Sequence, residues 1–506
     1  MSSQLPQRGS PAERVAFEAL QARLPALFRE VFGSRRASRT VVVVPGLSLD
    51  ADVLATIAGV RHYEERMLGM LMLLRLPNTR VVYVTSEPLA PAVVDYYLGL
   101  LQGVPPAHAR RRLLLLSAFD ASPEPLARKL LLRPRLLQRL REAIGDPASA
   151  HLSVFNATAD ELSLAVALGI PLYACDPALA HWGGKSGSRR AFRAAGVPLS
   201  DGAEDLSDLH AAAEAIEALR QRQPGLRRVV LKMNEGFSGE GNALLSLEGL
   251  SAGLPALQKA LLGRLKPEAK GMSAERYAEL YGHAGGIVEA WIEGDGKRSP
   301  SVQLRINPLG EVELISTHEQ VLGGDSGQVF LGSSFPADPA YACELHRMGR
   351  AVAEVLRDAG VLGRMAIDFV SVPQADGGWR HHAIEINLRK GGTTLPLQML
   401  QYLTDGRYCE HSARFLTPLG VERCYQASDN LISPLFRGLL PEDLIDLLVE
   451  HQLHFDPTRQ KGTVFNLIGA LSEHGKLGLV SISENPQEAH AGLERVRALL
   501  EQANSG

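Results

Sequence analysis

The residues best suited to chemistry lie in two short runs near position 380. Asp368 sits in Met365-Ala-Ile-Asp368-Phe-Val, and Glu385 and Asn387 sit in Ala383-Ile-Glu385-Ile-Asn387, followed by Leu-Arg389-Lys390-Gly391-Gly392. Residues two apart on a strand point to one face, so Glu385 and Asn387 project together. With Asp368, flanked by Ile367 and Phe369, they offer three hard oxygen donors, a set suited to a magnesium ion completed by water and phosphate. The competing reading is a structural network with Arg389 or Arg364, because buried polar groups must find partners.

A second signal is Val229-Val-Leu-Lys232-Met-Asn-Glu-Gly236-Phe237-Ser238-Gly239-Glu-Gly241-Asn. A lysine ends an apolar strand and a turn with three glycines follows at once. Backbone N–H groups unobstructed by Cβ atoms can converge there on an anion, with the lysine as a point charge. The run is neither a P-loop nor a dinucleotide-binding fingerprint, since GxxxxGK[ST] is lacking and Asn242–Leu245 reads as another strand. A plain glycine hairpin with a surface lysine is the alternative.

Val288-Glu289-Ala-Trp291-Ile292-Glu293-Gly294 ends a strand of alternating apolar and acidic residues, which suits a flat base and a ribose hydroxyl. An edge strand with solvated glutamates fits it as well. Arg305, with Gln303 on the same strand face, can grip a carboxylate in a two-pronged fork, or stand as an exposed ladder arginine. The small residues of 323–334 read as a loop beside that site. His318, His381, His382 and His474 are given no catalytic role, and no Ser-His-Asp or Cys-His arrangement stands out.

The elements that must position these groups follow from pattern and length. A chain of 506 residues carries about three domains. Its 45% hydrophobic and 22% charged residues exclude a disordered or fibrous chain. Lys and Arg number 53 against 56 Asp and Glu, so no polyelectrolyte field for nucleic acid exists. The four cysteines form no CxxC pair, and no secretory signal or membrane-length apolar run is seen, so a cytoplasmic protein with no membrane partner is expected.

Runs at Thr40–Val44, Arg80–Thr85, Leu113–Ser117, His151–Phe155 and Pro171–Ala174 alternate with amphipathic segments and predict a parallel α/β layer over residues 1–176. Helical spacing at Arg61–Leu74 and Pro134–Ile144 predicts helices covering it. Residues 177–405 read as an α+β region with long antiparallel strands, and 406–506 as a small α/β module with helices near Pro441–His451 and Pro486–Gln502.

In this order, Lys185, Lys232 with its glycine turn, Glu289 to Gly294, Asp368, Glu385-x-Asn387 and Arg389 resemble the ATP-grasp superfamily of carboxylate ligases. YEER at Tyr63–Arg66, YVTSEP at Tyr83–Pro88, SPEPLARKLLLRPRLL at Ser122–Leu137, KSGSRRAFRAAGVP at Lys185–Pro198, NEGFSGEGN, EINLRKGGTTLP and FNLIGALSEHGKLG at Phe465–Gly478 are similar to the pheganomycin-type peptide ligases. The resemblance implies an α/β and α+β fold class: a pre-ATP-grasp domain (1–176), an ATP-grasp core (177–405) and a C-terminal closing domain (406–506). It implies ATP and Mg2+ as cofactors, with Lys185 and Lys232 on the phosphates. Arg389 would steady the phosphoryl oxygens or the tetrahedral oxyanion. The implied reaction joins amino acids or peptides through an acyl phosphate. A phosphotransferase on the same scaffold and a nucleotide-binding partner protein without turnover are the rival readings, and a homodimer is the default assembly.

Overall fold

The structure, a computed structural model, describes residues 5–236, 241–251, 253–323 and 329–503. Strands β1 (Arg39–Val44), β2 (Thr79–Thr85), β3 (Leu113–Ser117) and β4 (Ala150–Val154) form a parallel sheet in the order β3-β2-β1-β4. Unbroken runs such as Val41–Val44 suit it, because helices cover both faces of such a sheet and every side chain of β1 is buried. The expected fifth strand at 171–174 is reduced to one parallel bridge, Leu152 to Leu172. Pro171 has no N–H to extend a ladder.

The helix expected at Arg61–Leu74 is instead a 3₁₀ run over Val60–Arg75. Helical periodicity assigns its charged residues to solvent, yet Glu64, Glu65 and Arg66 are all buried. Tertiary hydrogen bonds override the local pattern: the Ser86 N–H and hydroxyl donate to the two Glu64 carboxylate oxygens at 2.6 and 2.7 Å. Pro134–Ile144 is an α-helix, as its spacing predicts.

A second, antiparallel sheet holds β5 (Gly202–Leu206), β6 (Arg228–Met233), β7 (Asn242–Ser246), β8 (Leu265–Pro267) and β9 (Gly286–Ala290) in the order β5-β9-β6-β7-β8. Helices Leu209–Arg222, Leu254–Arg264 and Ala274–Ala284 supply Ile216, Leu261 and Tyr277 to its core, where they meet Val229, Leu231 and Val288.

The largest sheet contains β10 (Pro300–Ile306), β11 (Val312–Gly323), β12 (Val329–Phe335), β13 (Gly363–Pro373) and β14 (Trp379–Asn387). Beyond a small hairpin of β15 (Arg407–Cys409) and β16 (Arg414–Leu416), the strands β17 (Cys424–Ile432), β18 (Gly462–Asn466) and β19 (Lys476–Ser483) enter the same sheet. Its order is β14-β13-β10-β11-β12-β17-β19-β18. Helix Pro339–Asp358 buries Leu345, Val352 and Leu356 against Val302, Leu304 and Ile367.

The stretch read as a loop therefore contains a strand, β12, paired with β11 on one side and β17 on the other. Its small residues have a packing cause. A Cβ on Gly332 would overlap the Ala427 carbonyl of β17, so glycine marks a close strand approach rather than a turn. Phe335 and Tyr425 stack at 5.1 Å across this seam.

No helix among the described residues is long and apolar enough to cross a membrane. Because residues 424–483 complete the central sheet, weakening their seat must weaken the whole. Leu479 is fully buried in β19. Leu479→Ala is expected to cost about 2–5 kcal/mol in urea unfolding, with the loss shared by probes in the central sheet.

Candidate active site

The second sheet and the central sheet face each other across a cleft of about 1430 Å³, which residues of the N-terminal region also line. Lys232 and Glu289 enter from one wall, Asp368, Glu385 and Asn387 from the other. Antiparallel pairing puts Lys232 on β6 beside β9, and the Lys232 ammonium donates to Glu289 Oε2 at 2.7 Å. Glu289 Oε1 accepts from Arg189, a fully buried residue of helix Lys185–Ala194. Burial works to raise the Glu289 pKa, but the two cations prevail and leave it below the usual carboxylate range.

On the opposite wall Asp368 and Glu385 are direct cross-strand partners of β13 and β14. Between this pair and the next, Phe369 with Ala383, β14 carries one extra residue, so Ile384 and Glu385 both line the cleft. Asn387 Nδ2 donates to Asp368 Oδ2 at 3.1 Å. Burial, then the charge of Glu385, push the Asp368 carboxyl up to about 6, against hydrogen bonds from Ser301 and Gln320. Burial also opposes ionisation of Glu385, yet Lys185, whose ammonium lies 2.5 Å from Glu385 Oε2, holds it below its ordinary range. Two desolvated carboxylates face one another with an amide alongside, a hard-oxygen set short of positive charge. These residues fit a magnesium ion.

Lys185 opens its helix, and that helix can approach closely because a Cβ on Gly187 would overlap the His181 carbonyl. Gly236 and Gly241 face each other at the cleft, a Cβ on the first lying 3.3 Å from the Cα of the second. Phe237, Ser238 and Gly239 lie outside the described residues. Arg389 lines the cleft and has its pKa lowered by burial, with no ion pair to a carboxylate among the described residues.

Other expected site residues stand differently. Both Glu289 oxygens already accept, Oε2 from Lys232 and Oε1 from Arg189, so its first role is to hold those cations. Trp291 and Ile292 line the cleft just past the end of β9, with the Trp291 ring between Arg228 and Lys297 at 5.3 and 5.0 Å. Glu293 does not join them. It pairs with Arg228 at 2.6 Å on the outer side, where a surface partner outcompetes the cleft. Arg305 is also elsewhere: its guanidinium binds Glu313 on the neighbouring strand and packs over Phe28 and Phe32 of the N-terminal region. Its fork is filled by a carboxylate of this chain.

Sequence reasoning assigned no role to Arg189, Ser301, Gln320, or to a second group at the far end of the cleft. That group comprises Tyr63, Arg66, Phe155, Asp429 and Lys476. Arg66 and Lys476 fall inside the YEER and FNLIGALSEHGKLG runs, but hundreds of positions separate them and local spacing cannot join them. The contrast between the two arginines is measurable. Arg189→Ala leaves a buried carboxylate short of a cation and is expected to cost about 3–5 kcal/mol in denaturant unfolding. Arg305→Ala breaks a partly exposed pair and is expected to cost at most about 1 kcal/mol.

The family model described as "IQCH-like, ATP-grasp" matches residues 272–410, and the one described as "PGM1 C-terminal domain" matches residues 443–496. The L-propargylglycine–L-glutamate ligase of Streptantibioticus cattleyicolor is 29% identical over 471 residues, spanning 91% of this chain and 94% of that protein. IQ motif-containing protein H of Danio rerio is 24% identical, spanning 92% of this chain and 48% of that protein. Among solved structures, a biotin carboxylase from Campylobacter jejuni in a β,γ-ATP complex has a TM-score of 0.55 at 12% identity, covering 92% of this chain and 95% of that one. The biotin carboxylase domain of 2-oxoglutarate carboxylase from Hydrogenobacter thermophilus has a TM-score of 0.52 at 12% identity, covering 92% and 89%. The folds agree at identities too low to carry more than the fold. The Asp368–Glu385–Asn387 group lies within the stretch that the ATP-grasp family model matches, and Lys185 and Lys232 line the same cleft.

Proposed function

We propose that the protein is an ATP-dependent carboxylate–amine ligase that forms an amide bond between amino acid or peptide substrates. The observation that carries this reading is the facing of Lys232 and the Asp368–Glu385–Asn387 group across one cleft. The name of the Streptantibioticus cattleyicolor relative, a ligase of two amino acids, supports the substrate class. In this reading residues 1–176, 177–405 and 406–506 act as pre-ATP-grasp domain, ATP-grasp core and closing domain around a shared cleft.

The chemistry needs charge and placement rather than a nucleophilic side chain. A substrate carboxylate oxygen attacks the γ-phosphorus of ATP and ADP leaves. The amine nitrogen then attacks the acyl carbon, phosphate departs, and the nitrogen gives up a proton. Magnesium, held by Asp368, Glu385 and Asn387, would offset the phosphate charge when bound. Lys232 comes to the phosphates already aimed, since Arg189 fixes Glu289, its carboxylate partner on the wall. Lys185, now on Glu385, is within reach of the same phosphates. Arg389, lacking a carboxylate of its own, is the group left to steady oxygens on the transferring phosphoryl or the tetrahedral carbon.

The test is an ATP-dependent screen of amino acids and short peptides in pairs, read by product mass together with ADP and phosphate. ADP formation that requires an amine and yields an amide is expected. A phosphorylated acceptor without amide would make the protein a phosphotransferase, and tight ATP binding with no turnover would make it a binding partner. Lys232→Ala is expected to weaken ATP binding at least about tenfold, roughly 1.4 kcal/mol, and to lower turnover. Glu385→Gln is expected to fold and retain ATP binding but lose magnesium-dependent ligation. Unchanged ligation in that variant would remove Glu385 from the metal site.

A further inference from the structure

Beyond the phosphate-facing groups, three cations run along one side of the cleft, stitched together by two rings. The Lys476 ammonium lies 4.7 Å from the centre of the Tyr63 ring, and the Arg66 guanidinium carbon lies 4.8 Å from that same centre. Arg66 is also 5.0 Å from the Phe155 ring, and Arg389 is 5.8 Å from that ring. All five side chains line the cleft. They come from the N-terminal 3₁₀ run, the end of β4, the turn after β14 and the first residue of β19, so four separate segments of the chain meet to build this row.

The charges do not balance. Arg66 has a carboxylate partner, Asp429, at 2.8 Å. Lys476 is buried, and among the described residues its ammonium contacts a phenol oxygen, Tyr63, at 2.7 Å and no carboxylate. Arg389 donates to the Lys390 carbonyl at 3.1 Å and feels the charges of Glu385 and Asp368 without a direct ion pair to either. A desolvated cation without an anion is costly to keep, and aromatic faces repay only part of that cost. Lys476, a buried cation with no paired carboxylate among the described residues, therefore matches an anion brought by substrate.

We infer that this end of the cleft binds a second, non-reacting carboxylate, held by Lys476 with Arg66 and Asp429 beside it, while the reacting carboxylate lies next to Arg389. This rests on the ligase reading and deepens it: at least one substrate carries a free carboxylate that is not consumed. Two sources share that chemistry, the far end of a dicarboxylate donor and the α-carboxylate of an amino acid acceptor. Arg66 and Lys476 are positioning groups for that anion, and neither needs to touch the reacting carbon.

The experiment uses the full chain with ATP and amino acid pairs that it joins, each substrate supplied with its non-reacting carboxylate free or amidated. In the wild type, amidation of one partner is expected to raise its KM roughly 30-fold or more, while kcat falls far less. A penalty on the amidated acceptor assigns the carboxylate to the acceptor, and one on the amidated donor assigns it to the donor. Lys476→Met is expected to raise the KM of the free form by a similar factor and to erase the preference for it. The KM for ATP should stay unchanged. Lys476→Arg, which keeps the charge, should restore the preference. Equal ligation of free and amidated forms by the wild type, or a preference surviving Lys476→Met, would overturn the inference while leaving the ligase reading intact. Absence of amide product from every pair would instead sink the ligase reading and this inference with it.

Discussion

Two carboxylates, Asp368 and Glu385, are paired across neighbouring strands inside a desolvated cleft. Like charges at that spacing in a poorly hydrated place cannot both ionise without a cation, and the structure splits them accordingly. Glu385 is kept charged by Lys185, while Asp368 is pushed up to about 6. The rest of the molecule can be understood as the scaffold that tolerates this pair. The strand register fixes their separation, the extra residue at Ile384 turns Glu385 into the cleft, and the opposing sheet carries Lys232 to the other side of whatever anion arrives.

The opposing wall solves the complementary problem. Lys232 is buried and would be expensive alone, so Glu289 neutralises it and Arg189 in turn offsets Glu289. Such a buried network gives little net stability for its size. It does fix side-chain positions, which is what a reaction run by placement and preset charge requires. The same economy of charge holds at the other end of the cleft, where Asp429 matches Arg66 and Lys476 meets a phenol rather than a carboxylate.

Much of this was legible in the sequence wherever period and residue type coincide. Glu385-x-Asn387 announced a shared face, Val41–Val44 a doubly covered parallel strand, and Val229–Lys232 a strand ending in a cation. Legibility stopped where partners are distant. Nothing local says that Arg189 will take the second oxygen of Glu289, that Glu313 will fill the fork of Arg305, or that Arg228 will draw Glu293 outward. The 3₁₀ run at Val60–Arg75 defeated helical spacing because its buried charges are satisfied by Ser86 and other remote groups. Small residues at 323–334 suggested a loop where sheet neighbours on both sides impose a strand. The C-terminal strands extend the central sheet for the same reason: pairing is a long-range property that composition does not carry.

The most direct test of the central pair is to grow crystals with Mn2+ and adenylyl imidodiphosphate and to map the anomalous scattering. The account predicts a metal peak at about 2 Å from oxygens of Asp368, Glu385 and Asn387, with the triphosphate between it and the Lys232 ammonium. A nucleotide bound with its phosphates directed away from Lys232, or metal density remote from Asp368 and Glu385, would contradict it.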